Sequence, residues 1–197
     1  MSDAHGRVKV RDARVEDAPS VLDVYTPFVT ETAISFEEVP PTVEEMEARI
    51  DRSHIWLVAD QEGDIAGYSY ASPFHGRGAY RWSIEVSVYL RRDRRRRGIG
   101  RELLGTLLDR AAAMGFVNAF AGIALPNEAS IRLFRAFGFA EIGLWPAVGF
   151  KLGEWRDVSW WQRRLRDPTV PPPLLGPTAG ARGPARRLLS HERSPRS

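Results

Sequence analysis

One stretch limits what this chain can fold into. From Arg81 to Leu90, Trp82, Ile84, Val86, Val88 and Leu90 alternate with Arg81, Ser83, Glu85, Ser87 and Tyr89. This is the two-residue period of a strand with one buried face. A basic turn follows, Arg91 to Gly100 (RRDRRRRGIG), and then Leu104, Leu107, Leu108 and Ala111 repeat at helical spacing. Gly115 is placed to end that helix, and Asn118 to Leu125 (NAFAGIAL) reads as a buried strand. Strand, helix, strand implies a right-handed crossover between two parallel strands.

The junction of the first strand and the helix suits an anion. Gly98 and Gly100 remove side chains where a backbone must approach a ligand. The first N–H groups of a helix lack partners inside it and sit at the positive end of its dipole. The turn has neither the three-glycine dinucleotide pattern nor the lysine-hydroxyl pair of a P-loop, so NAD and ATP are not the expected ligands.

The rest of the chain builds around this unit. Val8 to Ala13 reads as a strand, and a helix is expected from about Glu16, with Ala18, Val21, Leu22 and Tyr25 on one stripe. Thr30 to Glu38 has no stripe and reads as a loop or short extended segment. Thr42 and Glu45 form a capping box for a second helix to about Arg52. Ile55 to Ala59 and Ile65 to Ala71, joined by QEGD, predict an antiparallel hairpin. Asn127 caps a further helix, Glu128 to Phe137, whose inward stripe is read as Ala129, Leu133 and Ala136. Phe139 to Leu144 and about Phe150 to Arg164 close the sheet, with Trp145 to Gly149 as a loop.

Charge has to be located before it is interpreted. The 197 residues carry a net charge of +3 and a pI near 9.6. Residues 166–197 hold six arginines against two acids, which leaves 22 basic and 23 acidic residues in 1–165. The basic pI therefore belongs to a tail rich in Pro, Gly, Ser and Arg, which is expected to be disordered. Residues 1–165 are expected to form one domain. A nucleic-acid binder would need basic residues and stacking aromatics on one surface, and the balanced body argues against that partner.

There is no cysteine and there are four scattered histidines, so neither disulfides nor a metal site are expected. No run reaches the ~18 apolar residues of a membrane span, and the N-terminus lacks a signal-peptide core. A cytoplasmic protein without membrane contact is the expectation.

Arg95 to Gly100 (RRRGIG) fits the (Gln/Arg)-x-x-Gly-x-(Gly/Ala) signature of the GNAT superfamily of N-acetyltransferases. With GYSYASPFHGRGAYRWSIEVSVYL before it, LPNEASIRLFRAFGF after it and VGFKLGEWRDVSWWQ near the end, the chain resembles the phosphinothricin and methionine sulfoximine/sulfone acetyltransferase branch. The resemblance spans about Val8 to Leu165. It implies an α/β (α+β) GNAT fold, a single mixed, mostly antiparallel twisted sheet flanked by helices with a central βαβ acetyl-CoA-binding unit. It also implies a homodimer.

In such enzymes the end of the central strand, here Val88, Tyr89 and Leu90, pairs with the pantetheine arm of acetyl-coenzyme A. The turn, here Arg95, Arg96, Arg97, Gly98, Ile99, Gly100 and Arg101, holds the pyrophosphate, and Asn127 and Ser130 contact the cofactor from the next helix. The resemblance places the catalytic base at Glu85. It places Arg81, after Tyr80, where relatives bind an oxidised sulfur or phosphorus group. Phe28 and Phe36 are aromatic enough to wall an acceptor pocket.

The chemistry so implied is attack of a neutral amine on a thioester. It needs ordered reactants, a modest base and stabilisation of developing charge, and no metal. The chain departs from the family at Phe134, where relatives carry a tyrosine or histidine to protonate the leaving thiolate. A thiol of reference pKa about 8.5 is a tolerable leaving group without it, and Tyr89 or water stand as substitutes. The expected acceptor is a small α-amino acid such as phosphinothricin, methionine sulfoximine or methionine sulfone. The alternatives are a protein N-terminus, a polyamine, or cofactor binding without catalysis.

Overall fold

The computed structural model describes residues 8–176. Seven strands form one sheet in the order β1-β2-β3-β4-β5-β7-β6. They are β1 (Lys9–Asp12), β2 (Ile55–Gln61), β3 (Asp64–Pro73), β4 (Ser83–Leu90), β5 (Asn118–Ala124), β6 (Ala140–Lys151) and β7 (Glu154–Arg164). Only β4 and β5 run parallel; every other neighbouring pair is antiparallel. The crossover between the parallel pair is α3 (Ile99–Ala113), as the spacing of leucines requires.

Two cores lie on opposite faces of the sheet. On one, Leu103, Leu104, Leu107 and Leu108 of α3, at most 2% exposed, pack over Leu57, Ile84, Val86 and Ala119. Truncating one such leucine to alanine costs about 2–5 kcal/mol. On the other, α1 (Ala18–Glu31) and α2 (Val43–Arg52) cover Trp56, Val58 and Tyr68. The α2 start is the expected capping box, Thr42 N–H to Glu45 at 2.9 Å and Glu45 N–H to Thr42 at 3.2 Å. Gly115, at φ +97°, ends α3 in the left-handed region that favours glycine.

Several elements differ from the reading of the sequence. The β2–β3 turn is two residues, Glu62 and Gly63, since Gln61 already pairs with Asp64. The strand expected from Arg81 begins at Ser83, because a 3-10 turn over Gly78–Tyr80 carries Arg81 in helical conformation. Trp145 to Gly149 is a bulged stretch inside β6, held by Ala147 N–H to Asp157 Oδ1 at 2.8 Å, and the true hairpin turn lies at Leu152–Gly153. Helix α4 (Glu128–Ala136) is rotated from its expected face. Ala129 and Ala136 are exposed, Phe134 is buried at 5%, and Ile131, Leu133 and Phe137 pack beside it. Burial scales with apolar area, so the aromatic outweighs two methyl groups.

Part of the C-terminal stretch lies against the domain. Pro173 C=O accepts from Trp82 Nε1–H at 2.8 Å, Gly176 N–H donates to Met114 C=O at 2.8 Å, and Leu175 packs on the α3 core. The expectation of disorder from residue 166 onward does not describe 166–176, because the apolar edges of Trp82 and Met114 give this segment a surface to cover. For 177–197 the expectation lies outside the described residues.

Candidate active site

The parallel strands part almost as soon as they meet. β4 and β5 pair only at Ser83, Ile84 and Glu85 against Asn118, Ala119 and Phe120. β4 stays paired to β3 as far as Leu90 with Gly67, while β5 continues beside β7. Val88, Tyr89 and Leu90 therefore keep one backbone edge without a strand. An extended chain can be accommodated there as an added strand.

The basic turn stands at the end of that edge. Gly98 is the N-cap of α3 at φ +81°, and Arg96 also lies at positive φ, 62°. The Gly98 carbonyl accepts from Arg101 N–H at 2.9 Å and Glu102 N–H at 3.1 Å, whereas the N–H groups of Arg97, Gly98, Ile99 and Gly100 have no backbone acceptor among the described residues. Gly100 has a packing role as well: a Cβ there would stand 3.1 Å from Leu90 Cδ1. These converging donors fit a pyrophosphate.

The run of arginines divides into two sets. Arg91 and Arg94 bind Asp64 at 2.8 and 2.7 Å, Arg94 also donates to Gln61 at 2.9 Å, and Arg92 pairs with Glu31 at 2.8 Å. These fasten the turn to the β2–β3 hairpin and α1. Arg95, Arg96 and Arg97 are exposed and form no ion pair among the described residues; Arg95 lies 5.7 Å from the centroid of Phe28, and Arg101 lies 5.4 Å from that of Phe137. The free charges are thus the ones nearest the unpartnered amides. Asn127 accepts from Ser130 N–H at 3.2 Å as the cap of α4, at the end of β5 and across the gap from β4.

Glu85 sits where the two strands separate. It pairs across the sheet with Ser72, on the face toward α1 and α2, and burial pushes its carboxyl above the usual carboxylate range. Arg81 makes no ion pair with it; the Arg81 guanidinium stacks 4.8 Å over Trp82 and donates from Nε to Gly78 C=O at 2.9 Å. A cavity of about 240 Å³ bounded by Tyr25, Arg49, Trp56, Tyr70 and Ser72 begins one strand away. A larger one, about 490 Å³, lies between α1 and the end of β4 and is lined by Phe28, Glu31, Leu90 and Arg91.

The aromatic candidates separate. Phe28 is buried edge-on against Tyr89 at 5.1 Å, while Phe36 is 40% exposed and lies against Gly149 of β6. Tyr89 is enclosed by Tyr25, Phe28 and Tyr68, and burial raises its phenol well above 10, which makes it a poor acid. Phe134 meets Phe139 edge-on at 5.0 Å.

Residues that the sequence reading passed over complete the surroundings. Tyr25 bonds Ser35 at 2.7 Å and Glu37 at 2.9 Å, and Arg49 forks onto Glu37 at 2.7 and 3.0 Å. Lys151 donates to the Ser35 and Glu37 carbonyls at 2.6 Å each. A lysine inside the apolar run Val148 to Leu152 was the one available cue. Among the described residues no group of three or more acidic or histidine side chains could hold a metal, and no helix is long and apolar enough to cross a membrane.

Comparison with known proteins follows the same lines. The model of the acetyltransferase (GNAT) domain matches residues 10–160. A phosphinothricin N-acetyltransferase of Streptomyces viridochromogenes is 36% identical over 178 residues, 88% of this chain and 97% of its own. An L-methionine sulfoximine/L-methionine sulfone acetyltransferase of Pseudomonas paraeruginosa is 38% identical over 168 residues, covering 81% and 95%. A crystal structure of a phosphinothricin acetyltransferase from Sinorhizobium meliloti in complex with AcCoA superposes with a TM-score of 0.79 at 38% identity, covering 88% and 94%. A family model that matches residues 10–160, and relatives matched along nearly their whole length, show that the chain belongs to the GNAT acetyltransferase family.

Proposed function

We propose that the protein transfers an acetyl group from acetyl-CoA to the α-amine of a small amino acid or analogue bearing an oxidised sulfur or phosphorus group, of the phosphinothricin or methionine sulfone type. The observation that carries this is the free edge of β4, running from Glu85 into the unpartnered amides at the start of α3. Identity of 36–39% to named phosphinothricin acetyltransferases supports the acceptor class.

In this reading the backbone of Val88, Tyr89 and Leu90 holds the pantetheine arm, and the amides from Arg96 to Arg101 hold the pyrophosphate. Arg95, Arg96 and Arg97 supply charge, and Asn127 and Ser130 close the cleft from α4. The bound donor supplies an acetyl thioester. Glu85 takes the proton of the attacking amine, directly or through one water. A carboxyl raised by burial is closer to the pKa that suits a base near neutrality. Arg81 offers a guanidinium, which suits an oxyanion as a bidentate partner, and Phe36 walls the acceptor.

The same reading gives a cytoplasmic homodimer. Exposed Ile142, Leu144, Trp145, Phe150 and Trp155 on the β6–β7 hairpin support association with a second copy, since monomers rarely leave so much apolar surface in one place. The test is thiol release from acetyl-CoA with a panel including methionine sulfone, phosphinothricin, a polyamine and a peptide N-terminus. Release with the first two is expected. Preference for the polyamine or peptide would replace the acceptor class, and cofactor binding with no release on any amine, which Phe134 makes worth measuring, would sink the enzyme reading.

A further inference from the structure

We propose that Lys151 of β6, with Gly149 beside it, positions the loop between α1 and α2 as a wall of the acceptor site. The part played by the acceptor rests on the acetyltransferase reading above; the fastening of the loop does not. The loop, residues 32–42, has no regular structure, so its backbone groups need partners from elsewhere. Two of its carbonyls, Ser35 and Glu37, each accept from Lys151 Nζ at 2.6 Å. Lys151 itself is only 7% exposed and forms no direct ion pair among the described residues, so these carbonyls, with the more distant charges of Glu37 and Glu38, offset the burial of its ammonium.

Phe36 lies between those two carbonyls in sequence, and its direction is fixed with them. Its ring fills the space where a side chain on Gly149 would be, and a Cβ at that position would overlap the ring. Other ties of the loop, among them Tyr25 to Ser35 and Glu37, Thr32 to Phe28 C=O and Arg49 to Glu37, come from α1 and α2 on the β1–β4 side of the sheet. Lys151 comes from the β5-β7-β6 side. The loop therefore bridges the two arms that separate at Glu85, and Lys151 sets how far apart they stand at the acceptor side. The lysine reaches no reacting atom; it acts through Phe36 and the loop backbone.

The experiment uses the full chain with Lys151→Met, Lys151→Arg and Gly149→Ala, read by hydrogen exchange and by steady-state kinetics on methionine sulfone. In Lys151→Met, amides of residues 33–38 should exchange faster while those of α3 keep their protection. The acceptor KM should rise about ten- to a hundredfold, the loss expected from misplacing a substrate wall by an ångström or less. The acetyl-CoA KM should stay within about twofold, and Lys151→Arg should recover part of the difference. Gly149→Ala, which displaces Phe36 and leaves the lysine in place, should raise the acceptor KM with an unaltered melting temperature. Faster loop exchange with an unchanged acceptor KM would overturn the inference, as would equal rises in both KM values with loss of protection throughout. A wild-type chain that turns over no amine sinks the acceptor reading, whereas the fastening is overturned separately, by loop exchange identical in Lys151→Met and wild type.

Discussion

Glu85 and Phe120 are the last residues at which β4 and β5 pair, so the one carboxylate on this face of β4 sits at the vertex of the opening. Its partner across β3 is Ser72, and burial raises its pKa. The raised value gives a sign for two measurements. Between its unfolded and folded pKa the native state binds the extra proton, so Glu85 favours folding at low pH and costs stability as the pH rises through that window.

Glu85→Gln should therefore lower turnover by about 10² to 10⁴ and move the pH profile to the alkaline side, where the free amine needs no base. The same variant should be as stable as wild type below about pH 4, under the ordinary carboxyl value, and more stable at pH 8, with unchanged acetyl-CoA affinity. Melting curves at the two pH values beside kcat profiles check this; unaltered kinetics would remove Glu85 from the mechanism.

The two glycines of the turn should fail for different reasons. Gly98→Val places a branched residue at φ +81° with open space around it, so the loss is conformational and falls on the turn that carries the amides. Gly100→Val drives a side chain into Leu90 and separates α3 from the end of β4. Both should weaken acetyl-CoA binding, measured by calorimetry, and both should lower the melting temperature at roughly 2–4 °C for each kcal/mol lost, Gly98→Val through backbone strain and Gly100→Val through its clash with Leu90. Wild-type affinity in both would show that the turn holds no cofactor.

The divided arginine run predicts divided effects. Arg94→Ala removes a pair to Asp64 and the bond to Gln61, and partly exposed pairs of this kind are worth about 1 kcal/mol or less. Arg95→Ala combined with Arg96→Ala touches no ion pair, so it should leave stability alone while raising the acetyl-CoA KM and flattening its dependence on salt. A salt titration of KM for the two variants separates the roles.

What could be read from the sequence was whatever depends on local period and capping. The leucine stripe of α3, the Thr42 capping box and the alternation from Ser83 to Leu90 are each decided by neighbours within a turn or two, and the structure keeps them. What could not be read depends on contacts distant in sequence. The face of α4 differs from the sequence pattern because helical spacing alone ranks Ala129 with Leu133, and only the core beneath makes Phe134 the buried residue. Trp145 to Gly149 looked like a loop because Pro146 and Gly149 break the pattern, but β7 supplies the pairing that keeps it in the sheet. Of the candidate site, Glu85 and the glycine turn are legible as a strand position and a signature. The ties from Lys151 to Ser35 and Glu37 span more than a hundred residues and leave no periodic trace.

The C-terminal stretch offers the remaining test. The segment 166–176 covers Trp82 and the end of α3, and Trp82 in turn is the surface on which Arg81 stacks. We expect deletion of 177–197 to leave both melting temperature and activity unchanged, since a segment rich in Pro, Gly, Ser and Arg has little apolar surface to bury. Deletion of 166–197 should instead expose Trp82 and the Leu175 contact, lower the melting temperature by a few degrees at roughly 2–4 °C per kcal/mol, and raise the acceptor KM through Arg81 while sparing that of acetyl-CoA. Identical melting curves and acceptor KM values for the two truncations would show that the segment contributes nothing to the fold or to the position of Arg81.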